Sequence, residues 1–117
     1  MALVEDIGHI VIQVADMDAA VRLYRDILGF TVPGGVNQVW TVAQAEGGSI
    51  TLYKVSNPVP LALPGDHTPL SLHVRNFEEA AKTLEGMGYR VVRDGASAGA
   101  VVDPWGNIVG LHDHRNE

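Results

Sequence analysis

The 117-residue sequence predicts an α+β domain of two repeated β-α-β-β-β modules whose sheets share a cleft. Three observations predict it. A strand, a helix and three further strand-like runs succeed one another over about residues 5–55, and the same order returns over about residues 69–113. Between them, about residues 56–68 form a linker, and the stretch "SNPVPLALPGDHTP" from Ser56 to Pro69 holds four of the six prolines and no hydrophobic period. The two halves also superpose. Val14 meets Val74 and Asp16 meets Asn76 at an offset of 60, whereas Leu28-Gly29-Phe30 meets Met87-Gly88-Tyr89 at 59. One deletion in the second helix region reconciles the two offsets.

Each element has its own local cause. "GHIVIQV" is a β-branched run that reads as a strand, and "DMDAAVRLYRDIL" has the apolar spacing of a helix. Asp16 or Asp18 can cap that helix by accepting from its free N–H groups, and Gly29 supplies the positive φ that ends it. "GFTVPGG" begins a strand that Pro33 interrupts, and "NQVWTVAQA" and "SITLYKV" are two strands joined across "EGG". In the second half "LSLHV" is a strand, "NFEEAAKTLEGM" a helix capped by Asn76, and "GYRVVR" a strand. "GAVVDPWGNIVGLHD" is a hairpin turning through "DPWGN". A helix covers only one face of its sheet, so the bare faces of the two modules are expected to meet around the cleft.

Composition narrows the function. Hydrophobic residues make up 46% and charged residues 19%, an ordinary globular balance. No apolar run approaches the roughly 20 residues that span a bilayer, and the acidic start "MALVEDIGH" is unlike a signal peptide, so a soluble cytoplasmic protein is expected. The absence of cysteine excludes disulfides, thiolate nucleophiles and thiolate metal sites, leaving His, Asp and Glu for any metal. A formal charge of −6 with no Lys/Arg cluster argues against nucleic acid and mildly favours a cationic small molecule. Phosphate loops, "GxSxG" elbows and "HExxH" helices are not found.

"GHIVIQVADMDAAVRLYRDILGF" and "VVDPWGNIVGL" resemble the vicinal-oxygen-chelate superfamily, which includes glyoxalase I, bleomycin-resistance proteins and extradiol dioxygenases. The resemblance runs through both modules and implies an incomplete barrel around the cleft, often within a homodimer. It also implies metal ligands in metal-dependent members: a His opening the first strand of each module and a Glu in the last strand of each. Carried over by position, the first falls on His9, but its repeat partner is Pro69, and the glutamate positions hold Thr51 and Gly110. A neutral hydroxyl is a poor ligand for a divalent ion, and Pro and Gly offer no side-chain donor. No cofactor is therefore expected, and a divalent metal is disfavoured.

Side chains alternate along a strand, so if positions 9, 51, 69 and 110 face the cleft, Val11, Gln13, Tyr53, Ser71, His73 and His112 do too. His73 is the repeat partner of Gln13, and His112 of Tyr53. The candidate ligand-binding residues are His9, Gln13, Trp40, Thr51, Tyr53, Ser71, His73 and His112. His9 either lines the cleft or is a polar residue at a strand end. Trp40 and Tyr53 can stack on a planar ligand, although the facing of Trp40 is ambiguous and core packing is the simpler reading. Of these residues His73 and His112 are the catalytic candidates, either one a general base if the protein is an enzyme, with exposed strand-end histidines as the plain alternative. Tyr24 and Phe77 read as packing residues, Trp105 as a turn-tip residue, Glu78, Glu79 and Glu85 as a solvated helix face, and His67 and His114 as solvent-exposed.

The expected function is metal-independent binding of a small aromatic or cationic molecule, similar to the drug-sequestering branch of that superfamily. The alternative is an enzyme of the same fold, a lyase, isomerase or oxygenase, using a His base or a non-standard metal site. The expected partners are a small-molecule ligand and a second copy of the chain, with no nucleic acid and no membrane.

Overall fold

Asp16 and Asn76 open the two helices in the same way. Each sits in extended backbone, and its side chain accepts from the N–H three residues on, Ala19 and Glu79, at 3.1 Å in both cases. The structure, a computed structural model, describes residues 3–4, 10–60 and 70–113. His9, His67, Pro69 and His114, and most of the proline-rich linker, lie outside the described residues. The chain divides into two units, Met1–Pro58 and Val59–Glu117. The first contains β1 (Ile10–Val14), α1 (Met17–Val21) continued by a π-helical segment (Arg22–Ile27), β2 (Trp40–Ala45) and β3 (Gly48–Lys54). The second contains β4 (Leu70–Val74), α2 (Phe77–Gly86), β5 (Arg90–Arg93), β6 (Ala98–Val102) and β7 (Ile108–Asp113).

The sheets repeat one another. Strand order is β1-β3-β2 in the first and β4-β7-β6-β5 in the second, and in each the first strand lies parallel to the last. Neither sheet closes on itself, and with one helix per sheet the α+β class and the repeated β-α-β-β-β plan stand as read from the sequence. The fourth strand of the first unit shrinks to a single bridge, Thr31 with Gln44, which exchange both backbone hydrogen bonds at 2.8 Å. Hydrogen-bonded pairs recur every second residue of an antiparallel ladder, so the next donor would be Pro33, which has no N–H. The corresponding β5, with no proline, pairs along its whole length.

The change of offset from 60 to 59 has a structural counterpart in the helices. In the second unit the Tyr89 N–H closes the helix on the Leu84 carbonyl at 3.0 Å; in the first, the Phe30 N–H does the same on Tyr24, also at 3.0 Å. Leu84 is the repeat partner of Tyr24, and Tyr89 of Phe30, so the first loop encloses one extra residue. That residue is absorbed by widening the last turns, where the Leu28 N–H reaches back five residues to Leu23 at 2.8 Å. Gly29 (φ +92°) and Gly88 (φ +94°) then turn the chain out of both helices.

Each helix covers one sheet face. In the first unit Ile12, Val14, Ala43, Ile50 and Leu52 are buried, as are Met17, Ala20, Leu23 and Tyr24 of the helix. In the second, Val101, Val109 and Leu111 are buried, as are Phe77, Ala81 and Leu84. Tyr24 and Phe77, the expected packing residues, are both fully buried. Buried Asp113 on β7 accepts from the Phe77 N–H at 2.7 Å, tying the start of α2 to the sheet. Glu78 and Glu85 are more than a solvated face: they hold Arg93 of β5 between them, with Glu85 engaged bidentately at 2.6 and 2.8 Å. The Arg93 guanidinium keeps the exposed Glu85 carboxyl below its usual range. Among the described residues no helix is long and apolar enough to cross a membrane.

Two close-packed features give measurable expectations. A Cβ on Gly99 would run into the Val92 carbonyl oxygen and lie 2.5 Å from the Phe77 ring, so Gly99→Ala should destabilise the protein by about 1–3 kcal/mol or more in urea unfolding. In the "DPWGN" turn, buried Asp103 accepts from the Trp105 N–H, the Asn107 N–H and the Asn107 amide at 3.0, 2.8 and 2.7 Å. Asp103→Ala leaves those donors unpaired, and a loss of about 2–4 kcal/mol is expected by the same measurement.

Candidate functional site

The face of the first sheet turned away from its helix is set by register. Val11 stands opposite Thr51 and Gln13 opposite Tyr53 on the parallel side; Val42 stands opposite Thr51 and Trp40 opposite Tyr53 on the antiparallel side. Directly paired residues share a face. Gln13, Trp40, Thr51 and Tyr53, four of the expected ligand residues, therefore lie together. Trp40 is not a core residue: it is 44% exposed, and its ring meets Tyr53 edge-to-face with centroids 5.3 Å apart.

Trp40 is presented by a residue that the sequence reading passed over. The Asn37 side-chain carbonyl accepts from the Val39 N–H at 2.9 Å and the Trp40 N–H at 3.2 Å, making an Asx turn into β2. The Thr41 hydroxyl donates back to the Asn37 carbonyl at 2.7 Å, and the Gln38 amide donates to Asp18 of α1 at 3.0 Å. Of the two capping candidates, Asp16 caps the helix and Asp18 anchors this loop. An Asn just ahead of a strand is the sequence signal that could have found the turn.

On the corresponding face of the second sheet, Ser71 stands opposite Gly110 and His73 opposite His112. The imidazole centroids are 5.9 Å apart with the rings tilted by 53°. His73 is exposed and His112 half-buried. Ala98 and Ala100, opposite His112 and Gly110 on β6, leave this face without the bulk that Trp40 and Val42 give the first.

The glutamate positions of the metal-dependent pattern are settled by their side chains. Thr51 is fully buried, and its hydroxyl has no hydrogen-bond partner among the described residues. Gly110, also buried, brings no side chain at all. Among the described residues no three His, Asp or Glu side chains converge as metal ligands. Among the described residues, the side chains at these positions do not fit the superfamily's divalent ion.

The model of the Glyoxalase/Bleomycin resistance protein/Dioxygenase superfamily matches residues 6–111. The chain belongs to that superfamily. Solved superfamily-like structures share its fold across nearly the whole length. A putative glyoxalase family protein from Bacillus anthracis is 16% identical with a TM-score of 0.70, covering 98% of this chain and 99% of its own. The fosfomycin resistance protein FosX from Listeria monocytogenes is 11% identical with a TM-score of 0.72, covering 97% of each chain. The antibiotic binding protein TnmS3 from Streptomyces sp. CB03234 is 22% identical with a TM-score of 0.62, covering 97% of this chain and 98% of its own. At these identities the likeness is one of fold. No curated protein matches the chain in sequence.

Within this superfamily member the aromatic pair is a specific contact between β2 and β3. A double-mutant cycle of Trp40→Ala and Tyr53→Ala, read by urea unfolding, should return a coupling of about 0.5–1.5 kcal/mol.

Proposed function

We propose that the protein binds a small planar aromatic molecule without a metal ion, on the open face of its first sheet. The observation that carries this reading is the Trp40–Tyr53 pair, two adjacent aromatic rings left partly exposed on a face that their own helix does not cover. Burying a planar ligand against them removes apolar area from water and adds ring–ring contacts, while Gln13 on the same face offers an amide for orientation. Metal independence is supported by Thr51 and Gly110, which stand at the superfamily's carboxylate positions and supply no anionic oxygen. An antibiotic binding protein among the structural neighbours is consistent with ligand binding as a use of this fold.

A second reading has its own observation. His73 and His112, in register on neighbouring strands, form a pair that could pass a proton to and from a bound molecule, as a metal-free lyase or isomerase would require.

Titration calorimetry with 2-naphthol as probe separates the readings. Binding that survives EDTA treatment, weakens roughly 10-fold or more in Trp40→Ala, and yields no new product by chromatography is the expected result. A stoichiometric divalent ion whose removal abolishes binding would overturn it. Turnover of a small aromatic substrate that disappears in His73→Ala or His112→Ala would establish the enzyme instead.

A further inference from the structure

We infer that the Thr51 hydroxyl is the polar anchor of that site, held without a partner so that an uncharged, hydrogen-bonding aromatic ligand can supply one. The inference rests on the reading of the open face as a ligand platform. Leaving a buried hydroxyl unpaired destabilises a folded protein, and Val has nearly the same shape as Thr without that cost. Thr51 lies at the centre of the open face, between Val11 and Val42 in register and two residues from Tyr53 along its own strand. It is fully buried, and Oγ1 finds no partner among the described residues.

The surroundings define what could approach it. The strand residues on this face, including Val11, Gln13, Trp40, Val42 and Tyr53, are all uncharged, so an ionic group brought against them would lose its hydration without an opposite charge to replace it. A phenol, a ring carbonyl or a ring nitrogen loses much less, and a hydroxyl can donate to or accept from each of these. Thr51 itself has no exposed surface, so a ligand atom reaches Oγ1 only where a neighbouring side chain gives way, and Val11, 39% exposed, and half-buried Tyr53 are partly exposed neighbours on this face.

Stability and selectivity should then move in opposite directions. Thr51→Val should raise the melting temperature of the free protein by roughly 4–8 °C. The dissociation constants of 2-naphthol and 2-methylnaphthalene, which differ in hydroxyl against methyl, give the selectivity. Their ratio should change about 3- to 10-fold towards 2-methylnaphthalene in Thr51→Val and stay near the wild-type value in Thr51→Ser, which keeps the hydroxyl. An unchanged ratio in Thr51→Val, with both probes weakened by Trp40→Ala, overturns the anchor and leaves the platform standing. If Trp40→Ala leaves both probes unaffected, the platform itself fails. A lower melting temperature in Thr51→Val shows that the hydroxyl is already satisfied in solution, and likewise overturns the inference.

Discussion

One short helix per sheet is the constraint on which the rest of this structure depends. α2 is ten residues long, and like α1 with its π-helical continuation it can cover one face of a sheet and no more. In the first unit the covered face takes Ile12, Val14, Ile50 and Leu52 out of water. Because side chains alternate, the same strands must put Val11, Gln13, Thr51 and Tyr53 on the other face. The composition of that second face is thus a consequence of burying the core, and its chemistry depends on which residues occupy the alternate positions.

The two units answer the same constraint with different residues. Trp40 and Val42 give the first face bulk; Ala98 and Ala100 give the second little. Gln13 and Tyr53 sit side by side in the first, and their repeat partners His73 and His112 sit side by side in the second. A duplicated frame keeps its register while the faces turned away from the helices diverge, because register is enforced by the face packed on the helix and the other face is not bound by that packing. The widened helix end makes the same point for length: one additional residue is accommodated in a π turn, and the bond that closes the helix is kept.

Superfamily membership alone does not establish metal chemistry for this chain. A divalent ion needs several donors at once, and the loss of carboxylates at Thr51 and Gly110 removes two positions together. The strand side chains paired on the first unit's open face are aromatic, aliphatic, amide and hydroxyl, and none of them is anionic.

Much of the frame was legible in the sequence. The repeat offset put Gln13 with His73 and Tyr53 with His112 as repeat partners, the paired caps at Asp16 and Asn76 marked the helix starts, and Pro33 marked where a ladder must stop. These follow from local chemistry and from alternation, which act on residues close in the chain. The facing of Trp40 was not legible, because "WTVAQA" mixes apolar and polar residues on both faces, and only its pairing with Tyr53 decided it. The Asx turn at Asn37, the grip of Glu78 and Glu85 on Arg93 and the unpaired hydroxyl of Thr51 were likewise decided by tertiary structure. A hydrogen bond is made or missed within a few tenths of an ångström, between groups whose separation in the sequence does not measure their distance in space.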